Sequence, residues 1–331
     1  MNLRDEYKPA AVQSLSSAKD LLYGTIDRKN DGSSDGVRCV YSGFFVAFDG
    51  SPSSDPSQDV FNSPNENSVG INLEHTWPQS KGAGSGSPQS NMHHLFPTKV
   101  NVNSARGSLP FGEVTDALAT TWFRGSDLFN SMPTQERDEY SELLSGQRFE
   151  PREDHKGNVA RAMFYFYTMY KSEADAADPS FFEQQRDVLR TWHELDPVDT
   201  DEIARNDAIA AFQSGKTNPF IQDQTLVDRA YFESAVDLSG ATGDQLAVGI
   251  IELFPNPAVD QVTVRINKTP GQRSSVVLYD MLGRAMATSV TSVDLGSITE
   301  LRLDISTISR GIYWLQVQNG PISDAKSILI L

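Results

Sequence analysis

Apolar positions recur at helical spacing across residues 11–23, where Leu15, Ala18, Leu21 and Leu22 share a face and Gly24 offers a stop, so a helix is predicted there. β-Branched and aromatic residues crowd positions 37–48 and predict one or two strands; the Ser/Pro/Asp/Asn-rich run that follows to residue 67 predicts a long surface loop. Residues 71–75 alternate into Glu74 and His75, a short strand that Pro78 ends. The Gly/Ser-rich stretch 81–88 predicts an exposed loop, residues 93–96 form a second short apolar run closed by Pro97, and 98–106 have helical potential with Thr98 as candidate N-cap. The local order is therefore strand, loop, strand, helix. Residues 158–171 are apolar nearly all round, which a helix tolerates only when buried, and their aromatic stripe reads as core. Two more helices are predicted over 184–195 and 199–213, the second with Asp199 and Glu202 as its capping signature and Gly215 as its stop.

The helical period vanishes after Asp237. A polar Gly/Ser/Thr link follows, and then short turn-bounded runs at 262–266, 275–279, 301–305, 313–317 and 327–331, punctuated by Gly283 and Gly311, predict a small antiparallel β-sandwich. The pattern divides the chain into an α+β, mainly helical domain at 1–237, a linker at 238–251 and an all-β domain at 252–331. The last holds no histidine and no cysteine, so chemistry is expected only in the first.

Charge is distributed unevenly. Acids outnumber bases 44 to 28, for a net charge of −16 and a pI near 4.7, yet residues 252–331 contain seven of each. The whole excess lies upstream, and a field of that sign repels nucleic acid and membrane at long range, which excludes a basic high-affinity DNA binder but not an enzyme with a locally positive cleft. The single cysteine, Cys39, cannot form an intrachain disulfide and reads as a small buried residue. No apolar run approaches the ~20 residues of a membrane span, and residues 1–6 carry no apolar signal-peptide core.

Three of the five histidines (His75, His93, His94) fall in the most unusual window of the chain: between Glu74 and Glu113 there is no acid, while Lys81, Lys99 and Arg106 all lie inside. Such a window suits a polyanion. Phosphodiester hydrolysis needs a base, a cation to neutralise phosphoryl charge and a fixed positive group. His75 is the candidate base, Glu74 and Asn103 a sparse oxygen ligand set of the kind Mg²⁺ accepts, and Arg106, one helical turn beyond Asn103, a bidentate phosphate grip. Lys81, His93, His94 and Lys99 are candidate substrate contacts. Each has a plainer alternative: His75 as hydrogen-bonded structure beside Trp77-Pro78, and Lys99 and Arg106 as solvated charges. A zinc site at His93-His94 is disfavoured, because neighbouring strand residues point to opposite faces and no third close His or Cys is at hand.

The runs Glu74-His75-Thr76-Trp77-Pro78-Gln79-Ser80, Met92-His93-His94-Leu95 with Pro97, Val102-Asn103-Ser104 with Arg106-Gly107, and Pro110-Phe111-Gly112-Glu113 resemble the endonuclease I family of secreted bacterial nucleases. The likeness continues through residues 156–165, Trp192-His193 with Asp196-Pro197-Val198-Asp199, and Asn218-Pro219-Phe220-Ile221. It implies a ββα-metal (His-Me) finger, His75 as general base, one divalent cation on Glu74 and Asn103, and action on DNA and RNA without sequence preference. The sequence departs from the family at Asn91, where many members carry Asp, and has no clear counterpart of a loop arginine. Phe254-Pro255-Asn256-Pro257, residues 277–284 and Ser309-Arg310-Gly311-Ile312-Tyr313 resemble the C-terminal sorting domain of type IX secretion cargo, which implies export to the medium or cell surface through that machinery and reads the start of the chain as processed or engineered.

The expectation is thus an exported, monomeric endonuclease dependent on Mg²⁺, with Mn²⁺ or Ca²⁺ as substitutes. Its rivals are a catalytically silent nucleic-acid-binding surface protein and a zinc hydrolase.

Overall fold

The computed structural model describes residues 3–48, 56–61, 70–232, 250–267, 274–280, 284–294, 298–319 and 322–330. Residues 238–249 of the expected linker, Gly283 and parts of the loop to residue 67 lie outside them, and the last two linker positions, 250 and 251, open a strand. The chain divides into two compact units, Met1–Ser234 and Ala235–Leu331.

In the first unit, helices α1 (Leu3–Tyr7) and α2 (Leu15–Leu21) precede a three-stranded antiparallel sheet of β1 (Arg28–Asn30), β2 (Asp35–Arg38) and β3 (Phe45–Ala47). Helix α3 (Pro56–Phe61) leads to β4 (Ile71–His75), then α4 (Gly86–Ser90), β5 (Leu95–Lys99) and α5 (Val100–Arg106). A four-stranded sheet of β6 (Thr121–Arg124), β7 (Asp127–Phe129), β8 (Ser141–Leu144) and β9 (Arg148–Glu150) follows, and the unit closes with α6 (Lys156–Ala177), α7 (Arg186–Leu195), α8 (Thr200–Phe212), α9 (Pro219–Gln222) and α10 (Leu226–Tyr231).

Helix α6 is the axis of this unit. Its aromatic residues are buried on every side, as an all-round apolar helix requires. Trp77, just after β4, stacks on Phe166 at 4.8 Å between centroids and meets Phe181 edge-on at 5.3 Å, which ties the end of β4 to the core. At the other end Arg161, fully buried, pairs with Glu202 of α8 at 2.6 Å and donates to the Asp196 carbonyl. Gly157 donates its N–H to the Asp196 carboxylate, and a Cβ there would come within 2.0 Å of the Asp196 carbonyl oxygen, so only glycine fits. The Trp192-to-Asp199 motif is thus a clamp between α6, α7 and α8. Asp199 accepts from the Glu202 N–H as the N-cap of α8, and Gly215, at φ 71°, returns its N–H to Ala210 to end that helix.

Several elements differ from their sequence pattern. The first long helix begins at Leu15 under a Ser14 cap, and runs through Gly24 as a π-turn over Leu22–Ile26. The Gly/Ser stretch is not all loop, since α4 forms there. β5 starts after a 3₁₀ turn at Met92–His94 and includes Pro97, and Lys99 rather than Thr98 precedes α5. The β6–β9 sheet was not foreseen.

In the second unit, β10 (Ile250–Phe254), β11 (Gln261–Asn267), β15 (Ile298–Asp304) and β14 (Ser289–Asp294) form one antiparallel sheet in that order, and β13 (Ala285–Met286), β12 (Ser274–Tyr279), β16 (Gly311–Asn319) and β17 (Ile322–Ile330) the other. Alternate residues Val262, Val264 and Ile266 of β11 and Leu301 and Leu303 of β15 meet Leu278 of β12 and Leu315 and Val317 of β16 in one buried cluster. This is a sandwich packed on its period-two faces. Strands β10, β13 and β14 escaped the pattern; β14 is exposed along its whole length and has no apolar face to read.

Candidate active site

Strands β4 and β5 pair antiparallel with Glu74 opposite Phe96 and His75 opposite Leu95. The side chains of Glu74 and His75 leave on opposite faces, as adjacent strand residues must. Glu74 turns to Tyr41 and Arg106, and His75 to Gln79 and Gln89. Helix α5 lies against β4: Asn103 donates its amide to the Leu73 carbonyl at 3.1 Å and to the Asn72 side chain at 2.8 Å. Arg106 of the same helix reaches the Glu74 carboxylate and the His75 carbonyl, so α5 braces the end of β4 from Asn72 to His75.

Glu74 is buried. Its Oε1 accepts from the Tyr41 hydroxyl at 3.0 Å and lies 3.3 Å from Arg106 Nη1, while Oε2 has no protein partner among the described residues. Burial pushes the carboxyl up to about 7, although Arg106 and the Tyr41 hydrogen bond both pull it down. Asn103 spends its amide nitrogen on β4 and leaves Oδ1 without a protein partner among the described residues. A carboxylate oxygen and an amide oxygen on adjoining elements fit a hard divalent cation that keeps most of its waters.

His75 bonds through Nε2 to the Gln89 carbonyl at 2.9 Å, which requires the proton on Nε2. Nδ1 is then the lone-pair nitrogen, with the Gln79 amide at 3.4 Å. Desolvation holds this imidazole down at about 4, so it is neutral at pH 7.

Arg106, the candidate phosphate grip, points inward. It is wholly buried and donates to the carbonyls of His75 at 3.1 Å, Thr76 at 2.6 Å and Gly107 at 3.1 Å, with its guanidinium 4.5 Å over the Phe111 ring. It shares the α5 face with Asn103, as their spacing predicts, but that face is turned inward. Three of the four candidate substrate contacts are likewise buried. Lys99 is buried, donates to the Ser126 carbonyl at 2.6 Å and sits over Phe44. His93 and His94 are buried, bonded through Nε2 to the carbonyls of Lys216 and Pro88. Lys81 is half-buried and paired with Asp178 at 2.8 Å. The acid-free window does not produce a free positive cleft, because each of its three cations finds a partner from outside the window or from its edge.

Asn91 sits at the centre of a buried network: it donates to Tyr165 and Tyr170 of α6 and accepts from the His93 N–H and the Gln213 amide. Its position is filled by an amide that uses both ends. Among the described residues no three His, Cys, Asp or Glu side chains gather as metal ligands. Sequence reasoning missed Tyr41, Gln79 and Gln89. Tyr41 is 33 residues from Glu74, and nothing local marks it.

The first unit is thus an α+β domain that presents a Glu-His pair on a strand–strand–helix element. Residues 2–225 match the family model described as Endonuclease I, and the chain belongs to that family. Residues 252–331 match the secretion system C-terminal sorting domain, which marks the chain for secretion or surface attachment. Curated relatives include an extracellular ribonuclease of Bacillus subtilis (strain 168), 31% identical over 48% of this chain and 54% of that protein. An extracellular deoxyribonuclease of Aeromonas hydrophila is 30% identical over 41% of this chain and 50% of that protein. The chain spans about half the length of the curated relatives it matches. No helix among the described residues is long and apolar enough to cross a membrane.

Proposed function

We propose that this chain is an exported endonuclease that hydrolyses phosphodiester bonds in DNA and RNA with His75 as general base and one divalent cation, Mg²⁺ or in its place Mn²⁺ or Ca²⁺, held by Glu74 and Asn103. The observation that carries the reading is the pairing, at the end of β4, of an imidazole whose Nε2 is committed to Gln89 with a buried carboxylate that keeps one oxygen free. The order β4, β5, α5 is read as the ββα-metal finger. The family match and the activities for which the relatives are named, ribonuclease and deoxyribonuclease, support the substrate class.

The chemistry follows from the tautomer. Nδ1 of His75 takes a proton from an attacking water while Nε2 stays bonded to the Gln89 carbonyl, which also stabilises the imidazolium. Burial depresses the basicity of this ring, and an anionic phosphodiester brought beside it restores part of that basicity. The water oxygen bonds to phosphorus as one ester P–O bond breaks. A cation bound at Glu74 and Asn103 would neutralise charge on the phosphoryl oxygens. Arg106 positions the ligand carboxylate and the main chain of His75 and Thr76.

The test is cleavage of DNA and RNA with and without a chelator, in the parent and in His75→Ala. The expected result is metal-dependent cleavage that falls by about 10²–10⁴-fold in the variant. Undiminished cleavage by His75→Ala refutes the assigned base. Absence of cleavage across Mg²⁺, Mn²⁺ and Ca²⁺ favours a catalytically silent nucleic-acid binder.

A further inference from the structure

Tyr41 sits on the turn between β2 and β3, where Cys39 donates its N–H to Phe44 at 2.7 Å and Gly43 to Cys39 at 2.9 Å, with Gly43 at φ 73°. This tight turn drives the Tyr41 ring wholly into the core. The ring packs against Phe149 at 4.9 Å and edge-on to His155 at 5.9 Å, and the Tyr41 carbonyl accepts from Ser141 at 2.6 Å. Ring and backbone are both fixed. A phenylalanine would fill the same space, so packing does not explain the hydroxyl, which reaches 3.0 Å from Glu74 Oε1.

The Tyr41 hydroxyl donates to that one carboxylate oxygen and the Arg106 guanidinium stands in ionic contact with it at 3.3 Å, while Oε2 receives no donor among the described residues. A carboxylate held at one oxygen from two directions cannot rotate freely about its terminal torsion. We infer that Tyr41 is a positioning residue that locks the Glu74 carboxylate so that Oε2 alone is offered to the divalent cation, making Glu74 a monodentate ligand. The inference rests on the metal reading proposed above. Outer contacts of this kind tune metal affinity through the orientation of the ligand they hold.

The test is Mn²⁺ binding to the chelator-treated full chain, followed by titration calorimetry and by the paramagnetic signal of free Mn²⁺. Tyr41→Phe removes one oxygen and no ring atom. Its Kd for Mn²⁺ is expected to rise about 10-fold or more. The Mn²⁺ concentration for half-maximal cleavage should rise by the same factor, while kcat at saturating Mn²⁺ stays within about twofold of the parent, because the ligand set is intact. A merely structural hydroxyl would lower the melting temperature and leave the Kd of the folded protein unchanged, and that result overturns the inference. Should Tyr41→Phe not fold, replacement of Tyr41 by 4-aminophenylalanine keeps a weaker donor at the same place; its Kd should exceed the parent's by about twofold or more, and equality with the parent overturns the inference. Glu74→Gln separates the two claims. Undiminished Mn²⁺ binding by Glu74→Gln removes the metal reading itself, whereas loss in Glu74→Gln without loss in Tyr41→Phe removes only the role of Tyr41.

Discussion

Arg106→Met isolates what the buried guanidinium does for the fold. Methionine retains an apolar stem against Phe111, so the change removes donors more than volume. Two costs compete. The carbonyls of His75 and Thr76 lose the donor now at 3.1 and 2.6 Å, at about 1–3 kcal/mol for each orphaned group. Glu74 loses its cation, and a broken buried pair costs about 3–5 kcal/mol when the remaining charge cannot be discharged. Here it can be. With burial already pushing the carboxyl up to about 7, protonating it at pH 7 costs on the order of 1 kcal/mol or less. The carbonyls therefore dominate, and the expected loss is about 2–6 kcal/mol, nearly the same in the parent and in a Glu74→Gln background. Urea unfolding at pH 7 measures it through Trp77, Trp122 and Trp192, three of the four tryptophans, all buried in the first unit. An unchanged midpoint would refute the structural role of Arg106. A coupling energy of about 3 kcal/mol between the two substitutions would show that the ion pair, not the carbonyls, carries the effect.

Other outcomes follow from the same physics. Burial, with help from Arg205, Arg152 and Arg161, holds His155 down at about 3, whereas an unfolded histidine titrates near ~6.5. Below 6.5 only the unfolded state gains the proton, so His155 costs stability as pH falls from 6.5 towards 3. His155→Gln should flatten the stability–pH slope by about 1.4 kcal/mol per unit in urea melts between pH 6 and 4, and parallel slopes would contradict this. Burial, then the facing Glu150, pushes Glu142 up to about 8, so the folded state resists an ionisation that the unfolded state completes near its ordinary value. Stability is lost as pH rises from there to 8, and Glu142→Gln should raise the urea midpoint at pH 8 but not at pH 4.5; a lowered midpoint at pH 8 would count against the assignment. With Lys81, Lys99 and Arg106 all engaged inside the protein, few phosphates can be neutralised, so log Kd for DNA should change with log salt by a slope of magnitude below about 3. A slope near lac-repressor steepness would point to a basic surface elsewhere.

Local chemistry was the readable part. The Asp199–Glu202 cap, the Gly215 stop, the all-round apolar α6 and the alternation of β11 and β15 each depend on residues within a few positions of one another, so the spacing states the structure. Two boundaries differ from the apolar spacing: α2 starts after its Ser14 cap rather than at residue 11, a local signal the spacing does not carry, and Pro97 is held within β5 because β4 supplies the pairing.

For the site, the sequence by itself determined which residues meet: Glu74 and His75 share a strand, Asn103 and Arg106 share a helix face, and the helix follows its strands closely enough that it must pack on them. What each cation does was decided only by the tertiary structure. A positive charge in an acid-free window looks free along the chain, yet Lys81 finds Asp178, Lys99 finds Ser126 and Arg106 turns inward to Glu74 and three carbonyls. Tyr41, too, becomes a partner of Glu74 only when the β2–β3 turn is folded against β4. Hydrogen bonds between residues far apart in sequence leave no periodic trace, because their geometry is set by the packing of whole elements and not by neighbours along the chain.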